Sequence, residues 1–494
     1  MAINPGTNLN SVPAAVQQTL QSNYLDLAST AGEGWAQQYL PDLMEKEAEV
    51  FGPRTISGFL SQIGAEESMT ADQVVWSEQG RLHLSYKGKM SNSSTFIVQS
   101  DIDGADSATG GISSNTGAGI DHGIRVNDTV ILADANGVTK CLVTVVSTDT
   151  ITVQTYDGST ITALNTDLTT TCLVYGSEYG KGKSYVEAGG STVTDTRGAN
   201  EPSFKTFNNK PIIMKDYYEV SGSDASRIGW VEVAAEDGQS GYLWYLKAEA
   251  DTRARFTDYI EMAMLEAEKG NTGGSADDLI NGAGAAFGTE GLFAAIEDRG
   301  NITTGITGVN AATDLAEFDA ILAEFDSQGA IEENMLFVNR ASSLAIDDML
   351  ASLNSYGAGG TSFGVFENDE DMALNLGFSG FRRGSYDFYK SDFRYLNDKA
   401  TRGSINAANS ANAIRGVIIP AGTSTVYDQQ LGRNLKRPFL HVRFRASATD
   451  DRRMKTWVTG SVGAATSALD AMQLHMLTER CLVVQGANNF MLMK

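Results

Sequence analysis

The chain has 494 residues, 42% of them apolar and 20% charged, enough for roughly two to four domains and a core that needs no covalent staples. Its 61 acids outnumber its 37 Lys and Arg, a formal charge of −24, which excludes a general nucleic-acid binder, because phosphate contacts need clustered cations. Cys141, Cys172 and Cys481 form no CxxC pair, so a disulfide framework is excluded and a reducing compartment is expected; no signal peptide is visible and no apolar run reaches the ~18 residues of a membrane span.

Residues 1–70 read as an arm with short helices. Val16, Leu20, Tyr24 and Leu27 fall at helical spacing after Pro13, and a second amphipathic stretch runs from Trp35 to Phe51. Its Trp35, Tyr39, Leu40, Leu43, Met44, Val50 and Phe51 exceed what a lone arm can bury, so it needs another surface, such as a neighbouring subunit. Residues 74–98 read as strand, with Leu82, Leu84 and Tyr86 alternating with Arg81, His83, Ser85 and Lys87. A Gly/Ser/Asp/Asn loop follows at 101–120.

Residues 123–176 are the clearest β module. Five short β runs are punctuated by Asn136-Gly137 and Asp157-Gly158, both hairpin signals, which predicts a small barrel or meander. Residues 203–233 are extended again, so the module is inserted in a two-way β excursion, out at 74–98 and back at 203–233. Ser240–Lys269 predicts the longest helix, ~45 Å at 1.5 Å per residue, with Leu243, Leu246, Ala250, Ala254, Ile260, Met264 and Ala267 on one stripe. Glu249–Arg253 and Asp251–Arg255 are i,i+4 acid-before-base pairs on its exposed side.

An α/β region follows. Thr289–Asp298, Thr313–Asp326 and Ser342–Leu353 read as helices, and Met335–Val338, Tyr386–Lys390 and Gly416–Ile419 as strands. The chain ends in long strands. Phe439–Ala446 alternates Leu440, Val442 and Phe444 inward with His441, Arg443 and Arg445 outward, and further strands cover Met454–Val462 and Leu474–Val484.

No constellation carries catalysis. The histidines His83, His122, His441 and His475 are scattered, without HExxH or a CxxC nearby, so no metal site is expected. Asp101, Asp103 and Asp106 miss EF-hand spacing, with Ile112 where the twelfth-position Glu belongs. Gly282, Gly284 and Gly288 miss GxGxxG by one residue and follow no apolar strand. Cys481 sits in an apolar strand run as a buried, inert thiol. The chain is read as a non-enzyme without cofactors.

Charge is more informative. Arg433, Lys436, Arg437, Arg443, Arg445, Arg452, Arg453 and Lys455 face only Asp450 and Asp451 in their stretch, a local +6. This patch is expected to meet an acidic neighbour or DNA, the ordinary alternative being a solvated strand pair. The excursion is also basic: Arg81, Lys87 and Lys89 outward, Lys205, Lys210 and Lys215 on the return. With Trp35, Tyr39, Phe51 and His83 these form the expected subunit interface.

The order of helical arm, β excursion, long helix, α/β region and terminal strands resembles the tailed-phage major capsid proteins of Hong Kong 97 fold, most closely those of crAss-like Bacteroides phages. Leu43-Met-Glu-Lys-Glu-Ala-Glu-Val-Phe-Gly-Pro-Arg-Thr55, Tyr217-Tyr-Glu-Val-Ser-Gly222 and Gly486-Ala-Asn-Asn-Phe490 carry the resemblance locally. It implies an α+β chain built as follows: N-arm 1–70, E-loop 71–100 with 200–225, and a β-barrel insertion domain 101–199. A peripheral (P) domain with the spine helix would take 226–270 and 431–480, and an axial (A) domain 271–430 and 481–494.

It also implies self-assembly into hexamers and pentamers of an icosahedral head around double-stranded DNA, bound without sequence specificity. Portal, scaffolding and auxiliary or decoration proteins are the implied partners. Assembly would take place in the bacterial cytoplasm, the virion capsid would be its location, and no membrane would be involved. Some relatives join an E-loop Lys to a neighbour's Asn, a role open here to Lys87 or Lys89 with Asn488 or Asn489, although no local motif supports it. The competing readings are an encapsulin-like compartment shell and a non-catalytic β-rich carbohydrate- or surface-binding protein.

Overall fold

The structure, a computed structural model, describes residues 66–102, 119–158, 161, 169–182, 204–223, 232–234, 240–270, 288–329, 331–353, 380–408, 412–421, 423–428, 433–463 and 465–494. The arm with Trp35, Tyr39 and Phe51, the Asp103–Ile112 part of the acidic loop, and Gly282 and Gly284 lie outside them.

The strands open with β1 (Glu66–Met69), β2 (Val74–Gln79), β3 (Ser85–Met90), β4 (Thr95–Asp101), β5 (Asp128–Ala133), β6 (Val138–Val146), β7 (Thr150–Thr155) and β8 (Thr170–Ser177). Then come β9 (Phe204–Asn209), β10 (Ile212–Ser221), the short pair β11 (Glu232–Ala234) and β12 (Ser240–Tyr242), and helix α1 (Leu243–Glu266). The middle of the chain holds α2 (Leu292–Arg299), β13 (Asn301–Thr303), α3 (Ala311–Gln328), β14 (Glu333–Val338), α4 (Arg340–Leu353), β15 (Gly380–Arg383), β16 (Tyr386–Asp392), α5 (Arg394–Asn397) and α6 (Arg402–Ala408). It closes with β17 (Gly416–Pro420), β18 (Thr423–Asp428), β19 (Arg433–Pro438), β20 (Leu440–Arg445), β21 (Lys455–Gly460), β22 (Ala471–Val484) and β23 (Met491–Met493).

These elements form two compact units, Ser77–Thr206 and Met1–Trp76 with Phe207–Lys494. The chain passes between them through β2 and β9, which pair with each other.

The Ser77–Thr206 unit is a closed six-stranded barrel in the order β3-β4-β7-β6-β5-β8. Strand alternation fills it: Phe96, Val98, Val130, Leu132, Cys141, Val143, Ile151 and Cys172 all point inward and are buried. Asn136-Gly137 closes the β5–β6 hairpin as expected, whereas Asp157-Gly158 turns the chain out of β7 without forming a hairpin to the next described strand, because β7 and β8 are not neighbours in the barrel. Asp134 Oδ1 accepts from the Asn136 and Gly137 N–H groups, and Gly158 takes φ +70°.

The barrel begins sooner than the sequence indicated, at Ser85 and not at 101. The segment read as one strand from 74 to 98 breaks after Gln79, and its second half supplies β3 and β4. Closure explains this, since without β3 and β4 the sheet would keep two open edges. Lys87 and Lys89 are therefore barrel residues, and Lys89 is buried. Leu82, on the apolar side of that alternation, is 81% exposed.

A register shift at Lys87/Gly88 brings Gly88 so close to β4 that a Cβ there would stand 1.9 Å from the Ile97 carbonyl oxygen. Gly88→Ala is expected to cost the barrel about 2 kcal/mol, read as a lowered midpoint in thermal unfolding.

The larger unit has two main sheets. In the first, β22 is the long central strand: β10 lies along one side, and β20 and β21 share the other, with β1 parallel to β20 at the edge. Helix α1 packs on β10 and β22, and its Phe256, Ile260 and Met264, spaced four apart, are buried with Met476. Glu249 and Arg253 pair at 2.8 Å as expected, whereas Arg255 pairs with Asp216 of β10.

The second sheet runs β13-β23-β17-β14-β16-β15. Alternation along β14 divides its two faces. Phe337 joins the core shared with α1 and α2, while Leu336 and Val338 join a second core under α3 and α4. Asn310 caps α3 by accepting from the Thr313 N–H at 3.0 Å, and Gly329 ends it at φ +69°.

Candidate assembly surface

The basic stretch is folded against its own carboxylates. Glu67 of β1 pairs with Arg443 at 2.7 Å, and Glu66 pairs with Arg453 and lies 3.5 Å from Arg480. Asp72 pairs with Arg445, Glu479 with Arg452 at 2.7 Å, and Asp450 with Lys455 at 2.6 Å. Arg480 is 6% exposed, and its burial lowers its pKa. It keeps its charge between Glu66, the Thr478 hydroxyl at 2.9 Å and the Arg453 carbonyl at 2.7 Å.

Six cations thus share five carboxylates, three of which enter from the segment that carries β1. β1 has four residues and one buried apolar side chain, Met69; its parallel ladder to β20 holds it on the sheet, and these ion pairs flank the ladder. His441 departs from the outward reading: it is 2% exposed, because β20 is enclosed between β1 and β22 and buried on both faces at its start. Its Nδ1 lies 3.2 Å from the Pro438 carbonyl. Arg433, Lys436 and Arg437 lie on β19.

The face of this sheet opposite α1 carries an aromatic row. Tyr217 of β10, His475 of β22 and Trp457 of β21 are in register across three adjacent strands. The His475 ring stacks on Trp457 at 5.2 Å and on Tyr217 at 6.0 Å. His475 Nε2 lies 2.7 Å from the Thr459 hydroxyl. In the next row Lys215 and Lys455 flank Leu477; in the row beyond His475, Glu219 accepts from Gln473 at 2.7 Å. Tyr217 is 57% and Trp457 37% exposed.

The return strand is fastened by Arg299 of α2. The guanidinium forks onto Glu290 at 2.8 and 3.0 Å and lies 4.7 Å from the Phe207 ring centroid and 5.8 Å from that of Trp76. Beside it, Asn209 donates to the Leu482 and Glu290 carbonyls at 2.7 and 3.1 Å and accepts from the Glu290 N–H at 2.9 Å. The base of the excursion is thereby tied to both sheet and helix.

The other expected interface residues separate. Arg81 and His83 line an open apolar groove on the barrel unit with Leu82, Ile102, Leu173 and Tyr175. Lys205 is exposed on β9, and Lys210 lies in the turn between β9 and β10. Arg299 and the Tyr217–His475–Trp457 row were missed in the sequence. Aligning the Met454–Val462 and Leu474–Val484 runs as antiparallel neighbours would have placed Trp457 beside His475.

Among the described residues no group of His, Cys, Asp and Glu could hold a metal ion, and no helix is long and apolar enough to cross a membrane. Burial pushes the Cys141 thiol up to about 11 and Cys481 to about 12, and raises Cys172 further. All three are 0% exposed. A thiol reagent at pH 8 is expected to leave the native chain unlabelled, then to label Cys141 and Cys172 together when the barrel opens, and Cys481 with the other unit. Native-state labelling at the rate of a free cysteine would contradict this burial.

No protein-family model matches the chain, and no curated protein matches it. Among solved structures it is similar to a chain from Microbacterium phage Oxtober96, at 8% identity over 92% of this chain and 95% of that one, with a TM-score of 0.37. It is also similar to a chain in the capsid structure of cyanophage P-SCSP1u, at 7% identity, 62% and 79% coverage and a TM-score of 0.32. A third is a chain of the satellite phage P4 procapsid that includes the size determination (Sid) protein, at 12% identity, 64% and 81% coverage and a TM-score of 0.28.

Proposed function

We propose that this chain is a tailed-phage major capsid protein of the Hong Kong 97 type, akin to those of crAss-like phages. Its copies close as hexamers and pentamers into a head around double-stranded DNA. The observation that carries the reading is the order of elements. A paired β excursion leaves and re-enters beside Trp76 and Phe207, a 24-residue helix lies along one sheet, an α/β layer follows, and the chain returns to the first sheet before ending in the second.

In this reading the sheet with α1 is the peripheral domain, the six-stranded sheet with β23 the axial domain, β2 and β9 the stem of the E-loop, and the barrel an insertion. A paired excursion of this kind is marginal alone and needs a neighbour's surface. The net charge of −24 limits adhesion to packaged DNA, which suits a container. The basic patch is paired first with its own carboxylates; among its described side chains Arg453 and Lys455, 55% and 43% exposed, are the most open to a neighbour or to phosphate. Portal, scaffolding and auxiliary proteins complete the assembly in the host cytoplasm.

Nuclease treatment of purified particles tests the reading. Protected double-stranded DNA is expected; particles holding protein cargo and no DNA would favour a compartment shell.

A further inference from the structure

Asparagine loses its side-chain amide most readily before glycine, whose backbone nitrogen no Cβ screens from the neighbouring side chain. The chain has two such pairs, Asn136-Gly137 and Asn281-Gly282. The second lies outside the described residues. The first sits at the tip of the β5–β6 hairpin, in the loop between the paired residues Ala133 and Val138. Asn136 is exposed there, and so is Val138 beside it, at 66%. Water and hydroxide therefore reach the backbone nitrogen that stands next to the Asn136 side chain. That nitrogen is engaged. The Gly137 N–H donates to Asp134 Oδ1 at 3.0 Å, and the Asn136 N–H donates to the same oxygen at 2.7 Å. The Asp134 N–H closes the loop on the Gly137 carbonyl at 3.0 Å.

We infer that Asn136 is a self-modification site whose rate Asp134 sets. The reaction starts when the Gly137 amide gives its proton to hydroxide. Its nitrogen then bonds to the carbonyl carbon of the Asn136 side chain, the bond from that carbon to the side-chain nitrogen breaks, and ammonia leaves. Water opens the resulting five-membered imide at either carbonyl, giving aspartate or isoaspartate at position 136. The net change is one water consumed and one ammonia released, with no oxidation. Asp134 opposes the first step in two ways. Its oxygen holds the proton that must leave, and its charge disfavours a second negative charge on the nitrogen. The product bears on the barrel. Isoaspartate carries the backbone through the side-chain carbon and so adds an atom to a loop whose length fixes the Ala133–Val138 register. The strand that follows, β6, carries the buried Cys141.

The test ages the full-length parent chain, Asp134→Ala and Asp134→Asn side by side at mildly alkaline pH. Positions 136 and 281 are read in the same digests by liquid chromatography with mass spectrometry, and a synthetic peptide of residues 131–140 gives the unrestrained rate. Parent Asn136 is expected to react roughly tenfold more slowly than in the peptide, and Asp134→Ala to bring it most of the way to the peptide rate with Asn281 unmoved. Asp134→Asn keeps an acceptor oxygen without the charge, and its rate is expected to fall between the two. Parent Asn136 reacting as fast as the peptide would overturn the inference, and so would an alanine variant no faster than the parent. Thiol labelling of fresh protein separates restraint by Asp134 from a loosened fold, and Cys141 and Cys172 are expected to stay protected in both variants. Labelling from the first time point, or a matching rise at Asn281, would return the acceleration to lost folding and remove Asp134 as its cause. In aged protein, labelled Cys141 is expected to concentrate in peptides that also hold isoaspartate at position 136. Equal labelling of modified and unmodified chains would overturn the effect on the barrel.

Discussion

Arg299→Ala is expected to destabilise the larger unit by about 3 kcal/mol, measured by urea unfolding followed through tryptophan fluorescence. The Arg299 and Glu290 side chains are 12% and 11% exposed, so truncation leaves a carboxylate in a poorly solvated site. It also takes the cation from Phe207 and Trp76, where the excursion enters and leaves. Lys at this position is not expected to rescue the variant, because an ammonium can neither fork onto both Glu290 oxygens nor stack flat on a ring. Particle yield should fall along with stability, since the stem of the excursion loses its anchor. A variant as stable as the parent would show that Asn209, with its three hydrogen bonds to Leu482 and Glu290, holds the stem alone.

Phe318→Ala is expected to cost about 4 kcal/mol. Phe318 is fully buried on α3, with ring centroids 5.1 Å from Phe388 and 5.5 Å from Phe381. Those partners lie on β16 and β15, so the ring joins the helix layer to the sheet edge, and its removal opens a cavity that rigid strands cannot refill. Phe318→Leu should recover more than half of the loss. The barrel unit has its own core, so thiol exposure of Cys141 and Cys172 should be unchanged in the alanine variant. Simultaneous exposure would mean that the two units unfold as one.

What the sequence revealed depended on how locally each feature is encoded. The long helix was legible because Ile260 and Met264 repeat at helical spacing, and α3 because Phe318 and Phe325 do. Within the barrel, the two glycine turns and the β-branched runs specified β5 to β8. β3 and β4 were assigned to the excursion, because the register shift at Lys87/Gly88 disturbs alternation where the barrel starts. The basic patch was visible as a run of cations, but its partners were not: Asp72 and Arg445 are 373 positions apart. His441 looked outward because alternation along one strand does not reveal that both faces are covered. Trp457 and His475 lie on successive strands, but Tyr217 joins the aromatic row only through the register of β10, which is far away in the chain.

Electron microscopy of the purified full chain, with sedimentation velocity alongside, tests the central claim most directly. The capsid reading predicts closed hollow shells, or hexameric and pentameric rings that close when scaffolding protein is supplied. A 52.8 kDa monomer at every concentration, unchanged by scaffolding protein, would contradict it.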